Sequence, residues 1–422
     1  YNGPSSFSPD RSHAMNFGFF TILAAQFFSS LADNALLFAA IALLEDRAAP
    51  AWQTPVLQQF FVFSYIVLAP FVGPFADAFP KGRVMFVSNA VKFGGCLTML
   101  AGLNPLYAYG LVGIGAAMYS PAKYGILTEY LPAAKLVWAN GWMEGLTVAS
   151  IILGAILGGI LIGPSVEALV TNRLALPGIE SAAQFALAVI VLIYLVAAVF
   201  NLYIPRVDID HKLPKRTLGY ILHDFWHCFR LLWRDPLGQV SLAVTTLFWG
   251  AGATLRLIVL TWAAVALGFN REQATQLTAL VAVGIAAGSM LAARYVHLER
   301  SVKVLPVGIA MGAVVMAMTL TDDWRVAFVL LLLIGAMAGY FVVPMNALLQ
   351  HRGHLLMGAG HSIAVQNFNE NLSILAMLGA YAVMIRAELS IYTVILIFGA
   401  FVALAMSYLW RKHGHDQDEG RS

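Results

Sequence analysis

The chain has 422 residues, 60% of them hydrophobic and 11% charged, with a formal net charge of +3. A soluble domain carries about 25% charged residues, so the composition excludes a soluble globular protein; the net charge is too small to say much about partners, and no nucleic-acid partner is expected. Two cysteines, Cys96 in an apolar run and Cys228 in a polar linker, exclude a disulfide framework.

The opening YNGPSSFSPDRSHA is polar, lacks an initiator Met and has no apolar core, so no cleavable signal peptide is expected there. A helix that crosses the hydrocarbon core needs about 20 predominantly apolar residues. About twelve such stretches follow, near 16–43, 54–76, 84–103, 106–130, 136–162, 181–204, 237–267, 273–296, 303–320, 324–349, 357–385 and 389–410. They predict an all-α polytopic membrane protein.

The first span holds FFSSLADNALLF (27–38), with Asp33 and Asn34 and no basic neighbour. A carboxylate in such a segment costs about 2.5–3.5 kcal/mol on insertion scales. Gln26, Ser29, Ser30 and Asp33 share one helical face. The second and third spans are joined by GPFADAFPKGR (73–83), which supplies Gly73, Asp77, Lys81 and Arg83. Lys92 lies in the third span and Lys123 in the fourth, inside GIGAAMYSPAKYGIL (113–127). In the fifth span Asn140, Glu144 and Thr147 share a face, and GAILGG (154–159) has the small-residue spacing of a helix-packing surface.

The longest polar connection, 205–236, separates an N-terminal half (16–204) from a C-terminal half (237–410), with tails at 1–15 and 411–422. Its second part is amphipathic: Leu218, Ile221, Leu222, Phe225, Phe229 and Leu232 lie on one face, and His223, Asp224, His227, Arg230 and Arg234 lie opposite. This pattern predicts a helix lying on the membrane surface. His223 and His227 have metal-ligand spacing but no carboxylate or third ligand, so two solvated histidines are the favoured reading and no metal is expected. The seventh span carries Arg256, the tenth carries Asn346 within LIGAMAGYFVVPMNALL (333–349), and the eleventh carries Gln366, Asn369, Glu370 and Ser373 on one side.

The tenth-span stretch echoes the fourth, with Pro121-Ala122-Lys123 matched by Pro344-Met345-Asn346. Two six-span halves related by an axis along the membrane normal are a transporter pattern. With the N-terminus placed inside, seventeen of the Lys and Arg residues fall on the cytoplasmic side and five on the other. Both termini are therefore expected in the cytoplasm.

Asp33, Glu144, Glu370, Lys92, Lys123 and Arg256 all lie within spans. Such residues face the bundle interior or an aqueous cavity and pair with each other or with a ligand. Ion pairing between helices is the favoured role for Lys92, an even choice for Glu144 and Glu370, and the less favoured one for Asp33, Lys123 and Arg256. His361 reads as a packed interfacial histidine.

The 73–83 loop resembles the signature loop of the major facilitator superfamily, Gly-x-x-x-Asp followed by a basic-Gly-basic cluster, here with a longer gap. The counterpart GSMLAARYVHLER (288–300) keeps Gly288 but has Ala292 at the Asp position. ADNALLF (32–38), PKGR (80–83), YSPAKYGIL (119–127), FWGAGATLR (248–256), VVPMNALLQ (342–350) and GHSIAVQN (360–367) together are similar to the bacterial lysophospholipid transporter family of that superfamily.

The resemblance implies the major facilitator fold, no cofactor, and movement of lysophosphatidylethanolamine and lysophosphatidylglycerol from the outer to the inner leaflet of the bacterial inner membrane. An acyltransferase on the cytosolic side would then restore the second chain. It assigns Gly73, Asp77, Lys81 and Arg83 to a conformational latch. The headgroup chemistry suits the buried charges: a guanidinium binds phosphate through paired hydrogen bonds, and a carboxylate binds an ammonium. Arg256 and Asp33, on pseudo-equivalent spans, are the expected pair, with Asn34, Glu144 and Glu370 beside them, Lys123 further inward and Asn346 as its neutral counterpart.

A proton-coupled exporter of small amphiphilic compounds is the alternative, with Asp33, Glu144 or Glu370 titrating. A membrane acyltransferase is discounted: His413 and Asp418 have the His-x-x-x-x-Asp spacing but sit in a short hydrophilic tail with no fold around them, and, since no Walker-type phosphate loop occurs, ATP-driven flipping by this chain is not expected either. A monomer in the inner membrane, with no enzymatic activity of its own, is the resulting expectation.

Overall fold

The computed structural model describes residues 9–50, 52–172, 178–207 and 217–414. The middle of the central linker and parts of both tails, Asp418 included, lie outside the described residues. Among the described residues there are fourteen α-helices, three short 3-10 segments and no strand. In order they are α1 (Pro9–Asp46), α2 (Gln53–Ala78), α3 (Lys81–Leu100), α4 (Pro105–Tyr130), α5 (Leu136–Leu161), α6 (Pro164–Asn172), α7 (Ala182–Leu202), α8 (Leu218–Arg234), α9 (Pro236–Ala266), α10 (Arg271–Tyr295), α11 (Leu305–Ala317), α12 (Trp324–Met357), α13 (Ala359–Arg386) and α14 (Ile391–His413).

In a bilayer core every backbone N–H and C=O must be paired internally, which a helix does on its own. Ten helical stretches are long and apolar enough to cross a membrane, one of them the run Leu298–Leu320 that includes α11. Two more, α3 and α4, have 20 and 26 residues. They are less apolar because α3 carries Lys81, Arg83 and Lys92 and because α4 is rich in Gly, Tyr and Pro besides carrying Lys123 and Glu129. These twelve stretches correspond to the twelve expected spans. The protein is a multi-pass membrane protein.

The remaining two helices are α6 and α8. No element is expected at α6, a short helix of 9 residues whose Glu167 Oε2 accepts the Ala182 N–H at 2.6 Å and so ties it to the start of α7. Helix α12 runs eight residues beyond the expected end at 349, because a Gly at 358 with φ 98° is the first residue that breaks it.

The chain forms two compact units. Unit 1 comprises Tyr1–Ser64, Phe75–Lys123 and Ser150–Asp210, and unit 2 comprises Tyr65–Pro74, Tyr124–Ala149 and His211–Ser422. Middle residues of α2, the end of α4 and the first half of α5 therefore belong with the later helices.

In unit 1 the core gathers Ala32, Leu36, Cys96, Met99, Val112 and Tyr194. Lipid tails are as apolar as leucine, so helices here associate by close packing rather than by escape from water. The α1–α5 contact shows this: a Cβ added at Gly154 would lie 2.7 Å from Asn34 Cβ, and one at Gly158 would lie 3.0 Å from Ala35 O. The GAILGG stretch thus serves packing at these two positions, while Gly159 faces open space.

Unit 2 repeats the device between α10 and α12. Gly284 and Gly288 sit against the backbone of Leu332 and Ala336, and Gly335 and Gly339 against that of Val281 and Ile285, all too close for any side chain. Helix α8 docks through Phe225, Cys228 and Leu232, which join a core with Ala69, Leu242, Leu349 and Val365. The ring of Phe225 meets that of Phe368 edge-on at 5.5 Å. The apolar face expected for α8 is therefore divided, because Leu218, Leu222 and Trp226 remain exposed beside the docked stripe. Asp224 also leaves the expected solvent face and pairs with His361 Nε2 at 3.2 Å.

Candidate functional site

Within unit 1 the intramembrane charges meet. Asp33 on α1 and Lys92 on α3 form an ion pair, Oδ2 to Nζ, at 2.7 Å. The Tyr194 hydroxyl on α7 donates to Asp33 Oδ1 at 2.6 Å. Lys92 Nζ also donates to Ser29 Oγ at 3.1 Å, and Ser29 Oγ donates to Asn89 Oδ1 at 2.8 Å. The ammonium lies 4.7 Å from the centre of the Tyr119 ring, a cation–π distance. Lys92 is buried, whereas the Asp33 side chain keeps 22% of its surface exposed. A buried charge persists only when paired and hydrogen-bonded, and this network, drawn from α1, α3, α4 and α7, satisfies both partners. Asp33 retains enough exposure to meet a further cation.

Asn34 is occupied locally, donating to Ser30 O at 2.8 Å. Lys123 is buried near the end of the unit 1 part of α4. At the α2–α3 junction Lys81 Nζ donates to Asp77 Oδ1 at 2.9 Å and to Ala76 O at 2.7 Å, and both side chains are buried. Arg83 is exposed. Gly73, in unit 2, faces α13 so closely that an added Cβ would lie 3.0 Å from His361 Cα and 3.2 Å from Gly360 O.

In unit 2 two of the expected residues, Asn346 and Glu370, join a polar network, and a third, Glu144, has a separate tyrosine partner. Gln366 Nε2 donates to Asn346 Oδ1 at 2.9 Å and to Glu370 Oε1 at 2.7 Å, linking α12 and α13. Glu144 on α5 accepts the Tyr124 hydroxyl at 3.0 Å. Asn140 and Gln350 exchange two amide hydrogen bonds, at 2.9 and 2.8 Å. Glu144, Asn346 and Glu370 are all buried.

Arg256 on α9 differs from all of these. It is exposed, and among the described residues no hydrogen bond or ion pair engages its guanidinium. A guanidinium within a span that lacks an internal partner is suited to an anion brought by a ligand.

Sequence reasoning missed Tyr194, Tyr119 and Tyr124, the aromatic partners of the buried charges, and the Asn140–Gln350 pair. A tyrosine inside a long aliphatic run such as VIVLIYLV (189–196) was the available signal, since a buried hydroxyl needs a partner.

The chain matches the Major Facilitator Superfamily over residues 22–377. It is 44% identical over 403 residues to the lysophospholipid transporter LplT of Serratia proteamaculans (strain 568), covering 95% of this chain and 97% of that protein. It is 46% identical over 366 residues to the lysophospholipid transporter LplT of Yersinia pestis (strain Pestoides F), covering 86% of each. The chain belongs to the lysophospholipid transporter family of the major facilitator superfamily. Its fold is that of the superfamily. The human organic anion transporter MFSD10 superposes with a TM-score of 0.72 at 16% identity, covering 94% of this chain and 99% of that one. The superfamily transporter FucP, in its outward conformation, gives 0.71 at 15% identity, with 93% and 98% covered. As a member of the family the chain is a transporter and not an enzyme.

Proposed function

We propose that this transporter carries lysophospholipids, lysophosphatidylethanolamine and lysophosphatidylglycerol, from the outer to the inner leaflet of the bacterial inner membrane by alternating access. A cytosolic-side acyltransferase then re-acylates them. Two six-helix halves on either side of the 205–236 linker carry out the motion, the chain works as a monomer, and both termini lie in the cytoplasm. The Lys and Arg distribution supports that orientation.

The observation that carries the reading is Arg256, an exposed guanidinium in a span with no partner among the described residues. A phosphodiester supplies the anion it lacks, through two parallel charge-assisted hydrogen bonds. Within unit 2 the proposal assigns the phosphate to Arg256, with Glu144, Asn346 and Glu370 as further polar contacts. Within unit 1 it assigns the ammonium to Asp33, whose charge is shared with Lys92, with Asn34 beside it and Lys123 as a second phosphate ligand. The loop residues Gly73, Asp77, Lys81 and Arg83 form the latch, for which the buried Asp77–Lys81 pair supplies a fixed point. The single acyl chain has to be kept out of water throughout, since each methylene left there costs about 0.8 kcal/mol.

The test is uptake of labelled lysolipids into vesicles containing the full chain, with ethanolamine, glycerol and choline headgroups and a diacyl phosphatidylethanolamine for comparison. The reading expects transport of the first two lysolipids and little of the diacyl lipid. Equal transport of lyso and diacyl forms would sink it. The exporter reading is favoured by one feature, Glu370, a buried carboxylate held by the neutral Gln366 amide. Repeating the assay with and without a proton gradient separates the two readings.

A further inference from the structure

Unit 2 joins pieces of the chain that sequence order keeps far apart. With the second half of the protein it holds Tyr65–Pro74 of α2 and Tyr124–Ala149, the end of α4 and the first part of α5. Helix α5 is thus divided. Its Gly154 and Gly158 pack on α1 in unit 1, whereas the turns before Ser150 pack on α10 and α12. A Cβ added at Gly141 would lie 2.8 Å from Ser289 O, and one at Gly145 would strike the Met290 side chain. In the same unit Gly73 of α2 lies against Gly360 and His361 of α13. Such close approach rests on bare backbone surfaces, which part without unhooking interlocked side chains.

A polar clasp crosses this interface. Asn140 Nδ2 on α5 donates to Gln350 Oε1 on α12 at 2.9 Å, and Gln350 Nε2 donates back to Asn140 Oδ1 at 2.8 Å, across 210 positions of sequence. The Asn140 amide also donates to Leu136 O at 2.9 Å, which fixes its plane against the first turn of α5. The two residues are 0% and 1% exposed. Lys135 directly precedes α5, and Arg352 follows Gln350 by two positions. The Lys and Arg distribution assigns this end to the cytoplasmic side. Asn140 comes from the N-terminal half and Gln350 from the C-terminal half.

We propose that the Asn140–Gln350 pair is the lock of the cytoplasmic closure, paired while the inner side is shut and separated and hydrated when it opens, once in each transport cycle. The inference rests on alternating access as the mode of transport. Neutral amides suit the task. Separated in water, each exchanges its partner for water at little net cost, since protein–water hydrogen bonds replace protein–protein ones. Separated while the interface stays dry, each would leave a donor and an acceptor stranded. The pair therefore opposes partial opening and permits full opening. An ion pair at the same place would add the cost of drying two charges at every closure. Two apolar side chains would hold the closed state and resist wetting.

The experiment compares variants of the full chain in vesicles. Asn140→Leu/Gln350→Leu keeps the closed packing but has to wet two apolar side chains on opening. Its maximal rate of lysophosphatidylethanolamine uptake is expected to fall about tenfold or more, with half-saturation within about twofold of wild type. Its melting temperature should not drop, because both amides leave together and neither is stranded. Asn140→Gln/Gln350→Asn keeps both amides and their combined length, and should return the rate to within about twofold of wild type. Asn140→Cys/Gln350→Cys, made with Cys96→Ala and Cys228→Ala, reads separation without transport. A water-soluble maleimide applied from the cytosolic side should alkylate the two thiols, which are reachable only when the interface opens. A short, reducible bis-thiosulfonate bridge between them should stop uptake until reductant is added. A wild-type rate in the Leu pair, an exchanged pair as slow as the Leu pair, uptake that persists through the bridge, or thiols that never react overturns the proposal. If the wild type carries neither lysolipid, the substrate reading fails, while the alkylation result still decides the lock.

Discussion

Lys92 holds Asp33 at 2.7 Å across 59 positions of sequence, and the two charges are each other's principal partners in the first unit. The pair has an asymmetry that predicts different consequences for its two members. Lys92 is 1% exposed and Asp33 22%. Removing Asp33 strands an ammonium that water cannot reach, whereas removing Lys92 strands a carboxylate that water partly can.

Asp33→Ala is therefore expected to destabilise the protein more than Lys92→Ala. Breaking a buried pair by removing one partner costs on the order of 3–5 kcal/mol. Thermal unfolding of the purified protein in detergent, followed through buried-cysteine reactivity at Cys96, measures this. A larger loss for Lys92→Ala would show that the exposed carboxylate is the less tolerant partner.

The same residue has a second test that does not depend on stability. Asp33→Asn keeps the shape of the side chain and its contact with the Tyr194 hydroxyl. Lysophosphatidylglycerol has no ammonium, so its transport should survive Asp33→Asn better than that of lysophosphatidylethanolamine, normalised to protein in the membrane. Identical losses for the two lipids would leave Asp33 as a bridge to Lys92 alone.

Asp77→Asn should slow transport of both lipids alike. Asp77 accepts from Lys81 at 2.9 Å in a buried turn between two helices, where the change acts on the helix junction and not on a headgroup. A changed ratio between the lipids would place Asp77 in recognition instead.

The glycine contacts between α10 and α12 predict a stability effect of steric origin. Gly339→Val should be strongly destabilising, since the added atoms meet the backbone of Ile285 and Ser289 rather than a movable side chain. Overpacking commonly costs about 1–3 kcal/mol, and the rigid partner puts this site at the upper end. Gly379→Val, which faces open space, should leave the melting temperature within a few degrees, as surface changes of about 0.5 kcal/mol do.

The twelve spans were legible because charges are so sparse that each long apolar run stands out. The α1 face of Ser29 and Asp33 was legible from spacing, and the structure finds both at Lys92. That Lys92 is the partner was not legible, because nothing in α3 says which of its faces meets α1. The docking of α8 was legible only in part. Its apolar residues cover more than half a turn, and the sequence does not say that Phe225 and Leu232 go to protein while Leu222 and Trp226 stay exposed. Helix α6 escaped notice because 9 residues are too few to show periodicity. Arg256 was legible as an intramembrane charge, but that it has no partner among the described residues appears only once the helices around it in unit 2 are in place.

The account depends most on that guanidinium. Arg256→Gln keeps length and some hydrogen bonding but loses the charge, and Arg256→Lys keeps the charge but loses the paired donors. Removing one side of a desolvated ionic contact costs on the order of 2–5 kcal/mol, or roughly 30-fold to several thousandfold in affinity. The deciding measurement is uptake of both lysolipids by wild type, Arg256→Gln and Arg256→Lys at matched protein levels. The account predicts near-complete loss with Gln for both lipids, because both carry phosphate, and partial activity with Lys. Wild-type uptake of either lipid by Arg256→Gln would contradict it.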